Sequence, residues 1–245
     1  MCGIAGLQLR DPSLHPQLGA LLTDMLCHVA ERGPDSAGFG VYADPPFVPA
    51  DSGRTDLTVE RLGGSLTVVK GVGGAAQLAA DTGLAAAAGW QALAHTRMAT
   101  ESAVTVAHGH PFTAPDDFCL VHNGSFSNYA SIRRELTADG ITFHTDNDSE
   151  VAARFIAAQL HSGDDLDKAL RRLTERFDGF YTLLVTTADA MAVVRDPIAC
   201  KPALIAETPG WVAMASEYRA LVGLPDIAGA RVFEPAPEEV YLWSR

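Results

Sequence analysis

Met1-Cys2-Gly3-Ile4-Ala5-Gly6-Leu7-Gln8-Leu9 opens the chain, and every later motif is weighed against it. The stretch predicts a strand from Cys2 to Leu9, apolar on both faces and stopped at Asp11-Pro12. Cysteine at position two is small enough for Met1 to be cleaved, which leaves a thiol and an α-amine on one residue. An α-amine titrates near pH ~7.7–8.0, so it accepts protons at neutral pH. Beside a thiol it forms a nucleophile–base pair with no histidine required. Gly3 lets the backbone approach closely. The plain alternative is a buried structural cysteine, since cysteine is among the most buried side chains.

The 245 residues suffice for one large domain or two small ones with a full core. With 47% hydrophobic and 20% charged residues, the composition is that of a soluble globular protein. A formal charge of −12 provides no basic patch, which excludes a nucleic-acid or anionic-membrane surface. No run reaches the length of a membrane span, and the first residues lack the basic leader of a signal peptide. Cys2, Cys27, Cys119 and Cys200 are scattered without a C-x-x-C pair. Neither a disulfide framework nor a metal site is expected, and a reducing, cytoplasmic setting fits.

Helical spacing of Leu18, Leu21, Leu22, Met25, Leu26 and Val29 predicts a helix over 17–31, with Cys27 and His28 in packing roles. A strand is expected from Phe39 to Tyr42. The proline-rich stretch 44–56 reads as a surface excursion within a single domain spanning 1–245, with a docking surface as its other reading. Further strands are expected at 66–70, 90–95 and 118–122, and at 180–187, 191–194, 203–206, 211–215 and 240–243. Helices are expected at 75–88 (interrupted by Gly83), 128–138, 149–160 and 166–176. Strands, then helices, then strands with hairpin-length gaps argue for an α+β fold of antiparallel sheets carrying helices, and against a doubly wound parallel sheet.

Four polar clusters read as turns interrupting apolar strands. They are Arg32-Gly33-Pro34-Asp35-Ser36, the stretch from His95 to Glu101, the pair His108-Gly109-His110-Pro111-Phe112 and His122-Asn123-Gly124-Ser125, and the stretch from Thr145 to Glu150. Each has a modest explanation: Asn-Gly is a common tight turn, and Asp148-Ser149-Glu150 can simply cap a helix. Together with Cys2 they suit one substrate. Arg97 can pair bidentately with an α-carboxylate, and Asp148 can meet an α-ammonium. Thiol attack on an amide builds charge on oxygen, for which the Asn123 side chain and the Gly124 N–H are two donors. Glutamine or asparagine meets each of these demands.

Six stretches carry a family resemblance: residues 2–6, 32–38, 95–100, 109–112, 122–124 and 148–150, joined later by Arg195-Asp196-Pro197, Lys201-Pro202 and Ala215-Ser216-Glu217. In this order they resemble a class II glutamine amidotransferase of the N-terminal nucleophile (Ntn) hydrolase superfamily. The resemblance implies a four-layer α/β/β/α sandwich of two antiparallel sheets. It implies Cys2 as nucleophile, with the terminal amine held near Arg32 and the Gly33 backbone, and Asn123 with Gly124 as oxyanion hole. Arg97 with Thr100 would grip the glutamine carboxylate and Asp148 the amine, while His110 would line or support the substrate pocket. Glu101 stands where some members carry histidine.

The stretch from His95 to Thr105 most resembles stand-alone amidotransferase subunits of glutamate-synthase-like assemblies, including N-methylglutamate synthase. That likeness implies glutamine as substrate and no cofactor in this chain. FMN and an iron–sulfur centre would belong to a separate synthase subunit and other small partner subunits. A free-standing glutaminase acting on a γ-glutamyl amide, or a silent regulatory subunit of the same fold, are the alternatives.

Overall fold

The computed structural model describes residues 2–99, 103–115 and 117–245. In chain order the strands of the first half are β1 (Gly3–Leu9), β2 (Ser36–Tyr42), β3 (Leu57–Leu62), β4 (Leu66–Val72) and β5 (Gln91–Arg97). They are followed by β6 (Phe112–Ala114), β7 (Phe118–Phe126), β8 (Gly179–Thr186) and β9 (Ala190–Arg195). The last are β10 (Leu204–Glu207), β11 (Trp211–Ala215), β12 (Arg231–Phe233) and β13 (Val240–Ser244). Helices α1 (Leu18–His28) and α2 (Ala75–Thr82) belong to the first half, and α3 (Tyr129–Ala138), α4 (Asp148–His161) and α5 (Leu166–Arg176) lie between β7 and β8.

Two antiparallel sheets result, in the orders β12-β10-β11-β1-β5-β2-β4-β3 and β13-β9-β8-β7-β6. Strand β1 is buried at every position because it is central: β5 pairs on one side and β11 on the other. Its alternation feeds two different layers. Ala5, Leu7 and Leu9 face α1 and α2 in a core that includes Leu22, Leu26 and Trp211. Ile4 points the other way, into a layer between the sheets with Leu93, Val121, Leu184 and Met214. Gly6 shares that inner face, where a Cβ would come within 2.3 Å of Leu184 Cδ2, so the missing side chain leaves room for the facing sheet. Helices α3, α4 and α5 cover the outer face of the smaller sheet around Ile132, Val151, Leu170 and Leu183. Helix, sheet, sheet and helix are therefore stacked as the resemblance implies.

Several expectations are revised. Strands β3, β6 and β12 add to those expected: β3 is a half-exposed edge carrying Thr58, Glu60 and Arg61, while β6 and β12 have three residues each, too few to show a period. Cys27 and His28 are exposed and do not pack, because the buried stripe of α1 is Leu18, Gly19, Leu22, Met25 and Leu26. The helix over 75–88 stops at Thr82, where Gly83 takes φ 67° as the left-handed cap. Residues 43–56 hold no helix or strand, and Arg54 ties them down by bonding Asp56, Asp81 and the Val72 carbonyl.

Polar side chains also enter the middle layer. His95 on β5, His122 on β7 and His110 before β6 are buried, with the His95 and His110 rings stacked at 4.0 Å between centroids. Burial, first of all, holds each imidazole below its ordinary pKa, His95 down to about 3.

Two consequences are measurable. Leu184→Ala opens a cavity between the sheets and should cost about 2–5 kcal/mol in urea unfolding; a change under about 1 kcal/mol would mean that the sheets do not pack there. The second concerns acid. The histidines titrate near ~6.5 when unfolded, and their folded pKa values lie lower, so between these values the unfolded chain binds more protons. Stability should therefore drop as pH falls below about 6.5, by up to about 1.4 kcal/mol per pH unit for each histidine. Equal unfolding midpoints at pH 7 and pH 5 would contradict the neutral cluster.

Candidate active site

Cys2 stands just before β1, half-buried, and its carbonyl oxygen is held from two directions. Arg32 Nε donates to it at 2.9 Å and Asn123 Nδ2 at 3.2 Å. Arg32 comes from a 3₁₀ turn, Ala30–Arg32, after α1, whereas Asn123 lies within β7 of the other sheet. The guanidinium is fixed in turn by Glu217, with Nη1 2.7 Å from Oε1. Arg32 is the largest cause holding the Glu217 carboxyl below its ordinary pKa, with help from Arg219. Ser216 Oγ accepts the Ile4 N–H at 2.9 Å, so the chain just after β11 clasps the start of β1.

Arg32 thus stands beside Cys2 at the head of β1. The Gly33 N–H is engaged by the Ala30 carbonyl at 3.1 Å. A Cβ on Gly33 would lie 2.4 Å from the Thr96 carbonyl carbon and 2.5 Å from the Arg97 nitrogen, so this glycine serves close packing against β5.

Cys2 opens onto a cleft of about 650 Å³ that Arg97, His110, Asn123, Gly124 and Asp148 also line. The sequence-derived site residues thus converge, apart from Arg32, which holds the Cys2 carbonyl from behind, and Gly33, which packs against β5. Thr100 and Glu101 lie outside the described residues. The cysteine Sγ is 4.0 Å from the Met98 carbonyl oxygen.

The polar clusters are not all turns. His95, Thr96 and Arg97 end strand β5, and His122, Asn123, Gly124 and Ser125 run through β7. Gly124 takes φ 148°, and a Cβ there would sit 2.0 Å from the Phe180 carbonyl oxygen. Asn-Gly here meets a close approach between strands, not a hairpin. Arg97 is 4% exposed, and its Nη1 donates to the Ala103 carbonyl at 3.1 Å. Asp35 shapes the chain after it, donating its N–H to the Arg97 carbonyl at 3.1 Å and accepting the Ala99 N–H at 2.7 Å.

Asp148 is the first residue of α4, but Asn147 caps that helix by accepting the Ser149 N–H at 2.9 Å. The Asp148 carboxylate is thereby released from capping and lies where the helix dipole favours negative charge. Its Oδ2 accepts the Phe126 N–H at 2.9 Å, and Ser149 Oγ is 3.3 Å from Oδ1. That hydroxyl has one proton and two lone pairs. His110 Nε2 lies 3.0 Å and His122 Nδ1 2.8 Å from it. Every contact is satisfied when both imidazoles donate to Oγ and Oγ donates to Asp148. The remaining ring nitrogens, His110 Nδ1 and His122 Nε2, are buried without partners, as neutral rings require. His110 accordingly lines the cleft while its Nε2 is committed to Ser149.

Ser149, Asp35 and Glu217 have supporting positions that sequence reasoning did not assign. Tyr129, Phe180 and Lys201 also line the cleft without any local signal of that placement. The whole presents a thiol, an amide donor, a guanidinium and a carboxylate around one space, complementary to a zwitterion whose side chain carries a carbonyl.

A family model described as a glutamine amidotransferase domain matches residues 95–223. The chain is 42% identical to the glutamine amidotransferase-like protein GlxB of Rhizobium meliloti, over 99% of this chain and 98% of that one. It is 29% identical to a putative glutamine amidotransferase of Methanothermobacter thermautotrophicus, covering 98% and 99%. Among solved structures, the glutamine PRPP amidotransferase of B. subtilis superposes with a TM-score of 0.75 at 23% identity. That match covers 98% of this chain and 47% of the other, so the chain spans about half the length of that protein and shares its fold. With the two stacked antiparallel sheets and the cysteine at the head of β1, the chain belongs to the class II glutamine amidotransferases, enzymes of the Ntn-hydrolase fold.

Proposed function

We propose that this chain hydrolyses the side-chain amide of glutamine at Cys2 and passes the ammonia to an acceptor site on a separate synthase polypeptide. The observation that carries the reading is one cleft shared by Cys2, Arg97, Asn123 and Asp148. Arg97 takes the glutamine α-carboxylate and Asp148 the α-ammonium, which aligns the side-chain amide with the thiol. Removal of Met1 leaves the Cys2 α-amine as base. As the bond from Sγ to the amide carbon forms, the thiol proton passes to that amine. The amine then protonates the leaving nitrogen, the C–N bond breaks, and ammonia departs from a γ-glutamyl thioester. Water loses a proton to the same amine, adds to the thioester and expels the thiol, releasing glutamate. Asn123 Nδ2 has two protons, one already on the Cys2 carbonyl. The other, with the Gly124 N–H, stabilises the oxyanion of both tetrahedral intermediates.

The acceptor polypeptide in this reading is an FMN-containing synthase subunit of a glutamate-synthase-like or N-methylglutamate-synthase assembly, with iron–sulfur chemistry and further small subunits also outside this chain. Support comes from the likeness of the stretch 95–105 to such amidotransferase subunits. It also comes from the two relatives matched over 98% and 99% of their length, which carry no acceptor domain beyond the aligned part. No described helix is long and apolar enough to cross a membrane. The four cysteines are unbridged, with Cys27 and Cys200 exposed, which suits a reducing cytoplasm.

Intact-mass measurement should find the active protein beginning at Cys2; activity with Met1 retained would remove the proposed base. Cys2→Ala should abolish glutamine hydrolysis, and substantial turnover in it would refute the nucleophile. Asn123→Ala should lower kcat by about 10²–10³-fold. Arg97→Ala and Asp148→Ala should act mainly on KM, reducing kcat/KM by about 10²-fold or more, since truncating a buried charge pair costs about 2–5 kcal/mol. Glutaminase turnover should be weak alone and rise when the flavoprotein copurifying with this chain is added. Full turnover without it would favour a free-standing glutaminase.

A further inference from the structure

A second cavity, of about 620 Å³, opens between the edge of the larger sheet, the short strand β6 and the start of α4. Its size is that of a metabolite site. Lys70 lines it from β4. Leu66 and Val68 precede Lys70 on the same strand face, buried in the layer between the sheets, so a lysine continues an apolar row. The side chain is 7% exposed, and among the described residues its ammonium has no hydrogen bond or ion pair. Its one close cationic contact is the Phe112 ring, 5.4 Å from Nζ to centroid. Burial, first of all, holds its pKa below the ordinary lysine value.

The acids nearby, Glu60 and Glu150, attract this cation without forming an ion pair with it among the described residues. Glu150 Oε1 accepts the His144 N–H at 2.9 Å, and Oε2 accepts the Thr145 N–H at 2.7 Å and the Thr145 hydroxyl at 2.6 Å. Glu60 Oε2 accepts the Thr113 hydroxyl at 3.2 Å. Arg154, one helical turn beyond Glu150, adds a second cation. Its Nη2 stands 3.6 Å from Glu150 Oε1 and its Nε is buried without an acceptor. Among the described residues neither carboxylate pairs with the Lys70 ammonium, and the Arg154 Nε–H is a buried donor that is costly until an acceptor arrives. Leu62, Phe112, Ala114 and Pro115 form an apolar wall beside the two cations.

We propose that this second cavity binds a small organic carboxylate, its anion held between Lys70 and Arg154 and its carbon body against Phe112 and Leu62. A carboxylate supplies the missing acceptors, and the apolar wall distinguishes it from a bare inorganic anion. The cavity is built on the same first turns of α4 that bring Asp148 to the glutamine cleft: Asp148 and Ser149 face one space, Glu150 and Arg154 the other. Phe112 also meets His110 edge to face at 5.0 Å. An occupant thus touches the elements that position Asp148.

Titration calorimetry on the full chain tests this with acetate, succinate, 2-oxoglutarate and benzoate, beside succinamide and inorganic phosphate as controls. At least one carboxylate should bind with a Kd near or below about 1 mM, and succinamide should not. Lys70→Met should weaken that binding tenfold or more, with Arg154→Gln weakening it as well; circular dichroism checks that each variant is folded. Arg154→Gln carries the test alone if Lys70→Met does not fold. Binding undiminished in the folded variants would place the anion at Arg97 in the glutamine cleft and overturn the proposal. No carboxylate binding up to about 10 mM, or phosphate bound in preference to every carboxylate, would overturn it equally.

Discussion

One carbonyl oxygen, that of Cys2, accepts hydrogen bonds from a side chain behind it and from a side chain of the opposite sheet. Arg32 approaches from the end of α1, fixed by Glu217, and Asn123 reaches over from β7. A residue at the head of a strand would ordinarily fray. Here the two donors, together with the Ser216 clasp on Ile4, hold it at the mouth of the cleft. The pairing works only because the inner layer keeps β1 and β7 face to face, with Gly6 admitting Leu184. Sheet packing and nucleophile placement are therefore one constraint.

Electrostatics in the site follow from dryness more than from charge. Three imidazoles lie in the middle layer, and burial keeps them neutral. Neutral rings can both donate to Ser149, whose single proton is then directed at Asp148. The carboxylate is thereby oriented at the N-terminus of α4, between the Ser149 hydroxyl and the Phe126 N–H. Arg97, across the cleft, is buried as deeply as the histidines. Opposite charges facing one cleft suit a zwitterion better than either charge alone would.

Parts of this organisation are readable in the chain. Helix α5 is expected over the same residues, 166–176, that form it, because its apolar positions keep a strict helical spacing between exposed charged ones. Strand β11 agrees equally well, being a short apolar run between turns. Edge strands do not show themselves: β3 mixes Thr58, Glu60 and Arg61 with apolar residues, since one side meets solvent. The packing role expected of Cys27 and His28 fails because a helix of eleven residues buries only one stripe. Asn123-Gly124 has the composition of a turn and sits in mid-strand, because the local dipeptide carries no information about Phe180 pressing from β8.

Sequence alone determined the layered α+β class, a first strand apolar on both faces and the residue types of the site, because periodicity and side-chain chemistry are local properties. It also brought Cys2, Arg97, Asn123 and Asp148 together as one set, through their order and resemblance. Tertiary structure decided which atoms those residues engage: Arg32 on the carbonyl, Gly33 against β5, Asn147 in place of Asp148 as the helix cap, and Ser149 between two histidines. It alone placed Lys70 in a cavity, without an ion-pair partner among the described residues. Such facts depend on which distant segments exclude water from one another, and that is settled only when the two sheets close on their shared layer.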